Sequence, residues 1–306
     1  MKYILVKEAS ERWKISERMV RKYCTQKRVD GAYWEDKIWY IPETAVKPAA
    51  IVQPEPEMPR FAKRMAYHNQ KNYHYGLYEY IQVYLAYSSS RMASNRLTMQ
   101  QVQEVYRTNK IATTFEPVKV NDLIEILNHF LCVNHIMETI MTPLSANYIK
   151  KLHHLLTYGT FSDRKHRTGL GEFRTKDAKP GAPAKQITGQ LGELIKNYEK
   201  RKADFNGILD FHARFELIHP FEDYNGRVGR VLILKECLRQ GVDPFIIDDK
   251  RRGAYNRGIA AWEKDTAALT EVALEAQKRF QAKMELYRLM QYTPAVQHER
   301  RGRYAL

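Results

Sequence analysis

One stretch, residues 209–241 (LDFHARFELIHPFEDYNGRVGRVLILKECLRQG), constrains the chain more than any other. Ile208, Leu209, Phe211, Phe215 and Ile218 recur at helical spacing up to His219. Pro220 disfavours helical backbone on the residue before it, so the helix must stop there. A turn carrying Glu222, Asp223, Asn225 and Gly226 follows. A second helix is expected from about Arg227, with Val231, Leu232, Leu234 and Leu238 as its buried stripe.

The same periodicity runs through Tyr78, Ile81, Val83 and Leu85, then Leu123, Ile126, Leu127 and Phe130, then Ile149, Leu152, Leu155 and Leu156. The chain from about residue 61 onward is therefore expected to be helical. An interruption at 161–185, rich in Gly, Pro and Lys, is too long for a simple connector and reads as an active-site loop or hairpin. Three prolines at 54–59 form a semi-rigid spacer. The expected domains are 1–48, a linker at 49–60, a helical domain at 61–290 and a basic tail at 291–306.

With 44% hydrophobic residues, the 306-residue chain has enough apolar material for a packed core, which excludes wholesale disorder. No apolar run approaches the roughly 18 to 20 residues that cross a bilayer. The charged opening MKYILVKEASERWK lacks the apolar centre of a signal peptide, so no membrane partner is expected. Cys24, Cys132 and Cys237 are too far apart for a metal or disulfide framework and fit a reducing cytoplasm. The formal charge of +15 admits DNA, RNA or nucleotide phosphates as partners without choosing among them.

The turn between the two helices carries the chemistry. A helix start with free N–H groups and the positive end of a dipole is an anion site, and Asn225-Gly226 lets the backbone approach a phosphate. Arg227 and Arg230 can add charge-assisted bonds on the first turn. Asp223 is a hard oxygen ligand suited to a magnesium ion bridging phosphates, and His219 can take a proton near neutral pH. Each element alone also fits an ordinary helix stop, turn or solvated face. Together they suggest attack by a hydroxyl on a nucleotide phosphate.

His219-Pro220-Phe221-Glu222-Asp223-Tyr224-Asn225-Gly226-Arg227-Val228-Gly229-Arg230 resembles the Fic-family signature His-Pro-Phe-x-Asp/Glu-Gly-Asn-Gly-Arg-x-x-Arg at every defined position but one. The resemblance extends from about 65 to 285. It implies an all-helical domain with a small β-hairpin flap, and an enzyme that moves AMP from ATP, with Mg2+, to a Ser, Thr or Tyr hydroxyl of a target protein. Carried over, His219 deprotonates the hydroxyl, Asp223 holds magnesium, and Asn225, Gly226, Arg227 and Arg230 hold the phosphates. Phe221 is then a core anchor, 176–185 the flap, and Arg252, Tyr255 and Asn256 lie where adenine contacts are expected.

Tyr224 replaces the first glycine of the signature. If that position needs positive φ, the substitution costs on the order of 1 kcal/mol. Many relatives also carry an inhibitory Ser/Thr-x-x-x-Glu-Gly/Asn helix whose glutamate pairs with the last signature arginine. The matching stretch begins at Ser89, and Ala93 occupies the glutamate position, which implies an enzyme released from that inhibition and able to modify itself. A nucleotide sensor without catalysis and transfer of another phosphate-containing group are the alternatives. His153, His154 and Glu216 read as helix-face residues, and His212 as a packed histidine.

In LVKEASERWKISERMVRKYC, a helix marked by Ala9 and Trp13 breaks near Lys14-Ile15, and Ser16 is placed to cap a second. Arg18, Arg21, Lys22 and Tyr23 can face outward, with Met19 and Val20 inward, as a helix in a major groove requires. GAYWEDKIWYIP alternates about Glu35-Asp36-Lys37 as a hairpin would. This segment resembles the winged helix-turn-helix of excisionase and MerR-like domains. The resemblance implies DNA contacts at Arg18, Arg21 and Lys22, with Lys37 on the wing, and a homodimer spanning two half-sites. A basic docking domain that never meets DNA is the alternative. The expected fold class is mainly α, with the helical Fic-like domain and this small winged unit.

Overall fold

The computed structural model describes residues 2–49, 57–71, 76–111, 117–161, 163, 171–200 and 202–291. The basic tail expected beyond 291 and most of the expected linker lie outside them. The chain divides into two compact units, Met1–Glu57 and Met58–Leu306.

The first unit runs β1 (Tyr3–Leu5), α1 (Val6–Trp13), α2 (Glu17–Thr25), β2 (Tyr33–Glu35) and β3 (Ile38–Pro42). Lys14 takes a left-handed conformation (φ 54) that ends α1, and Ser16 accepts from the Met19 N–H to start α2. Strands β2 and β3 pair antiparallel across Asp36 and Lys37, which both have positive φ, and β1 adds to the far side of β3. Val6, Ala9, Trp13, Val20, Cys24 and Ile41 form the core. Tyr23, expected outward, is buried in it; its position on α2 shares the face of Val20 rather than that of Lys22.

The second unit is helical: α3 (Arg60–Gln70), α4 (Gly76–Arg91), α5 (Met99–Thr108), α6 (Val120–Glu138), α7 (Ala146–Thr157), α8 (Ile187–Tyr198), α9 (Phe205–Ile218), α10 (Asn225–Gln240), α11 (Arg252–Ala261) and α12 (Ala267–Gln291). Polar side chains start several of them. Ser145 accepts from Tyr148 N–H, Asp204 accepts from Gly207 N–H, and Thr98 forms a capping box with Gln101. α10 is buried on almost every side and packs against α3, α4, α6, α7 and α9. Such burial suits a central helix, but it encloses Lys235 and Glu236, which pair at 2.7 Å. The site therefore sits at the N-terminus of the most enclosed helix in the unit.

The flap departs from expectation. Among the described residues, 171–186 contain no strand, so there is no paired hairpin. Pro180 and Pro183 have no N–H for a ladder, and the remaining bonds go elsewhere: Arg174 N–H donates to Pro220 O and Ala182 N–H to Ile218 O. The flap is an irregular loop tied to the segment before the signature turn.

Candidate active site

Helix α9 ends at His219, which adopts a left-handed conformation (φ 51, ψ 62) with its N–H on Phe215 O. The chain then turns through Phe221, fully buried as expected, and re-enters helix at Asn225, two residues before the expected start. Tyr224 is the N-cap, with φ 66 and ψ 4. The strained position anticipated for a tyrosine is thus realised, at a cost of about 1 kcal/mol. No side chain caps the first N–H groups of α10, and they remain available to an anion.

A cleft of about 230 Å³ opens over this helix start. Its lining includes Ala93, His219, Asp223, Asn225, Gly226, Arg227, Arg230, Tyr255 and Asn256, so the candidate residues from three separate helical regions meet at one place. Ser89 lies behind it, accepting from Arg230 Nε at 3.1 Å on its hydroxyl and from Nη2 at 3.0 Å on its carbonyl. Ala93 is exposed at the wall, and no carboxylate among the described residues pairs with Arg230. A Cβ on Gly226 would come within 2.9 Å of Arg230 Nη1, so a side chain there would displace the pinned guanidinium.

The other signature side chains are less free than their sequence suggests. The Asn225 amide accepts from Phe221 N–H and donates to Phe221 O, both at 2.8 Å, so it staples the turn and leaves only its backbone N–H for a phosphate. Arg227 is buried, pairs with Glu125 at 2.9 Å and reaches Asp223 at 3.5 Å. Asp223 remains half exposed at the lip, with Oδ1 accepting from Tyr224 N–H. Tyr255 is buried with its hydroxyl on His212 Nε2 at 2.8 Å, leaving Asn256 as the exposed polar group of that pair.

Burial is the main cause that holds the His219 pKa below the usual histidine value; Arg174 adds to it, and a hydrogen bond to the Glu216 backbone and Asp223 oppose it. The imidazole is therefore neutral at pH 7 and can accept a proton. Burial and then the two signature arginines push His129 down to about 3, and burial pushes the Glu216 carboxyl up to about 7.

Several supporting residues gave no local signal. Arg174, 3% exposed, donates from Nε to His219 O at 2.8 Å and from Nη1 to Lys176 O at 2.7 Å, and also bonds Ala182 O. It thereby sets both the flap and the histidine. His153, expected on a helix face, is buried and stacks on Phe221 at 3.9 Å. Glu216 lines the cleft, its Oε1 2.1 Å from where a Cβ of Gly229 would lie, so only glycine fits at 229. His212 is packed, as its setting suggested.

The site thus combines an open helix start, a neutral histidine and an adjacent arginine on an all-helical scaffold. Residues 143–237 match the model of the Fic/DOC family. The protein adenylyltransferase Fic of Drosophila mojavensis is 26% identical over 187 residues, covering 55% of this chain and 34% of that protein. The chain thus spans about a third of the length of the curated relatives it matches. The fold is similar to Fic-1 of C. elegans (TM-score 0.59, 15% identity, covering 75% of this chain and 72% of that one). It is also similar to a Fic domain containing signaling protein from Bacteroides thetaiotaomicron (TM-score 0.58, 15% identity, 74% and 94%). Among the described residues no helix is long and apolar enough to cross a membrane.

Proposed function

We propose that the chain transfers AMP from Mg-ATP to a Ser, Thr or Tyr hydroxyl of a protein, itself included, and that its first unit binds DNA. The observation that carries this reading is the neutral His219 at the mouth of a cleft floored by the uncapped start of α10. The target oxygen attacks the α-phosphorus, its proton passes to His219, and the bond to the pyrophosphate breaks. The α10 N–H groups and Arg230 stabilise the charge on the phosphates.

Among the described residues no group of three or more His, Cys, Asp or Glu could hold a metal, so a magnesium here would rest on Asp223 and the substrate's phosphates. The half-exposed Asp223 carboxylate fits that demand. Bound there, magnesium would neutralise phosphate charge. Ala93 leaves Arg230 without an inhibitory carboxylate, and the three buried free cysteines suit a reducing cytoplasm. Arg18, Arg21 and Lys22 are exposed on α2 and Lys37 on the β2–β3 turn, which supports DNA contact by a dimer.

Labelled ATP with magnesium tests the enzyme. The intact chain incorporates label, His219→Ala loses it by at least a hundredfold while still binding nucleotide, and Ala93→Glu suppresses self-labelling. Binding without transfer in the intact chain would support the sensor reading, which the commitment of Arg227 to Glu125 favours.

A further inference from the structure

Glu125, on α6, is a buried carboxylate that no sequence motif marks, yet it meets two parts of the site. Its Oε1 accepts from Tyr224 Oη at 2.9 Å, from Arg227 Nη1 at 2.9 Å and from Asn121 Nδ2 at 3.0 Å. Its Oε2 accepts from Asn95 Nδ2 at 3.2 Å. Asn95 follows Ser94, whose φ of 72 forms the turn just after Ala93, and it also donates to Asp122 O. The Arg227 guanidinium lies 3.2 Å above the centre of the Tyr224 ring. One carboxylate thus ties the turn after Ala93 to the loop that starts α10.

The arrangement explains how a tyrosine stands at a left-handed position. A glycine would adopt φ 66 freely. The tyrosine instead offsets its strain by burying its ring, bonding a carboxylate and stacking on a cation. Its hydroxyl reaches Glu125 on α6, and Arg227 is held between ring and carboxylate. Arg227 has five N–H groups; Glu125 takes a bond from Nη1 and so fixes the guanidinium plane at the edge of the cleft that Arg227 lines.

We propose that Glu125 is a positioning residue for nucleotide binding, with Tyr224 as its partner: together they set Arg227 and the α10 start in the geometry that receives a triphosphate. This rests on the nucleotide-binding reading above. The test is calorimetric titration of Mg-ATP into the full chain carrying His219→Ala, so that no turnover occurs, with Tyr224→Phe, Glu125→Ala and the pair added. Tyr224→Phe should weaken binding roughly tenfold, as expected for a bond to a charged group. Glu125→Ala should weaken it more, and the double variant should bind no more weakly than Glu125→Ala alone, because both changes break one unit.

In chains that retain His219, the same variants should raise KM for ATP with kcat held, which a general loss of stability would not produce. If Glu125→Ala does not fold, Glu125→Gln takes its place in the cycle. Affinities within twofold of the parent for both single variants, or losses that multiply in the double, overturn the assignment of Glu125 alone. A parent that binds no nucleotide overturns the nucleotide-binding reading, and this inference with it.

Discussion

The two units use positive charge in opposite ways. In the helical unit Arg227 and Arg230 are each 6% exposed and held by named partners before any ligand arrives. In the first unit Arg18 and Lys22 are exposed on α2, and Arg21 pairs with Glu17, one turn away on the same exposed helix, at 2.7 Å. Buried, oriented cations suit one small anion in one geometry, because little further ordering is needed on binding. Exposed cations suit a polyanion, where many loose contacts add and salt competes with each. The formal charge of +15 therefore combines two unlike populations, and composition cannot separate them.

The largest expected effect that could break this contrast is at Arg230. Arg230→Ala should lower Mg-ATP affinity by roughly 10- to 100-fold, since it removes a desolvated charge aimed at the ligand. Any single substitution among Arg18, Arg21 and Lys22 should weaken DNA binding only a few-fold. Calorimetry and gel shift measure the two. Equal losses would show that burial does not distinguish the populations. Next in size is salt: raising it from about 50 to 200 mM should sharply weaken the DNA complex, with each lysine or arginine removed lowering the slope by about 1, while Mg-ATP binding changes much less.

A smaller effect concerns His219. Its folded pKa lies below the ordinary value of 6.5, so the unprotonated base persists as pH falls past that value. Transfer should hold to a pH below 6.5 and decline as pH drops through the depressed pKa, measured as the pH profile of kcat/KM. A profile already half lost at 6.5 would mean that the cleft does not desolvate the ring.

How much of this was legible in the sequence depends on whether the cause is local. The stop at His219, the cap at Ser16 and the sequence of helices follow from neighbours within a turn or two, and periodicity, capping or proline chemistry reports them, whereas the core role of Phe221 came from the resemblance. Glu125 and Tyr224 are 99 residues apart, and Arg174 and His219 are 45 apart. Nothing in either member of such a pair announces the other. Tyr23 failed for a local reason: its three-residue spacing from Val20 already places it on the buried face of α2. The flap failed because its prolines and glycine allow a hairpin connection but cannot supply its ladder.

The smallest effect sharpens the contrast from the side of stability. Glu216 ionises near 4.5 in an unfolded chain, whereas burial raises its folded pKa to about 7. Between those values the folded state keeps a proton that the unfolded state has released. Because the native state binds more protons in this window, stability falls as pH rises from about 4.5 to 7. Glu216→Gln removes the titration while keeping the shape beside Gly229. The variant should gain stability relative to the parent as pH increases, most plainly in urea midpoints compared at pH 5 and pH 8. A gap between the two that stays constant with pH would mean that Glu216 is ionised in the fold, stabilised by Arg230 across the cleft wall. The second signature arginine would then already be partly neutralised by a residue outside the Ala93 turn, and the Arg230→Ala loss should shrink accordingly.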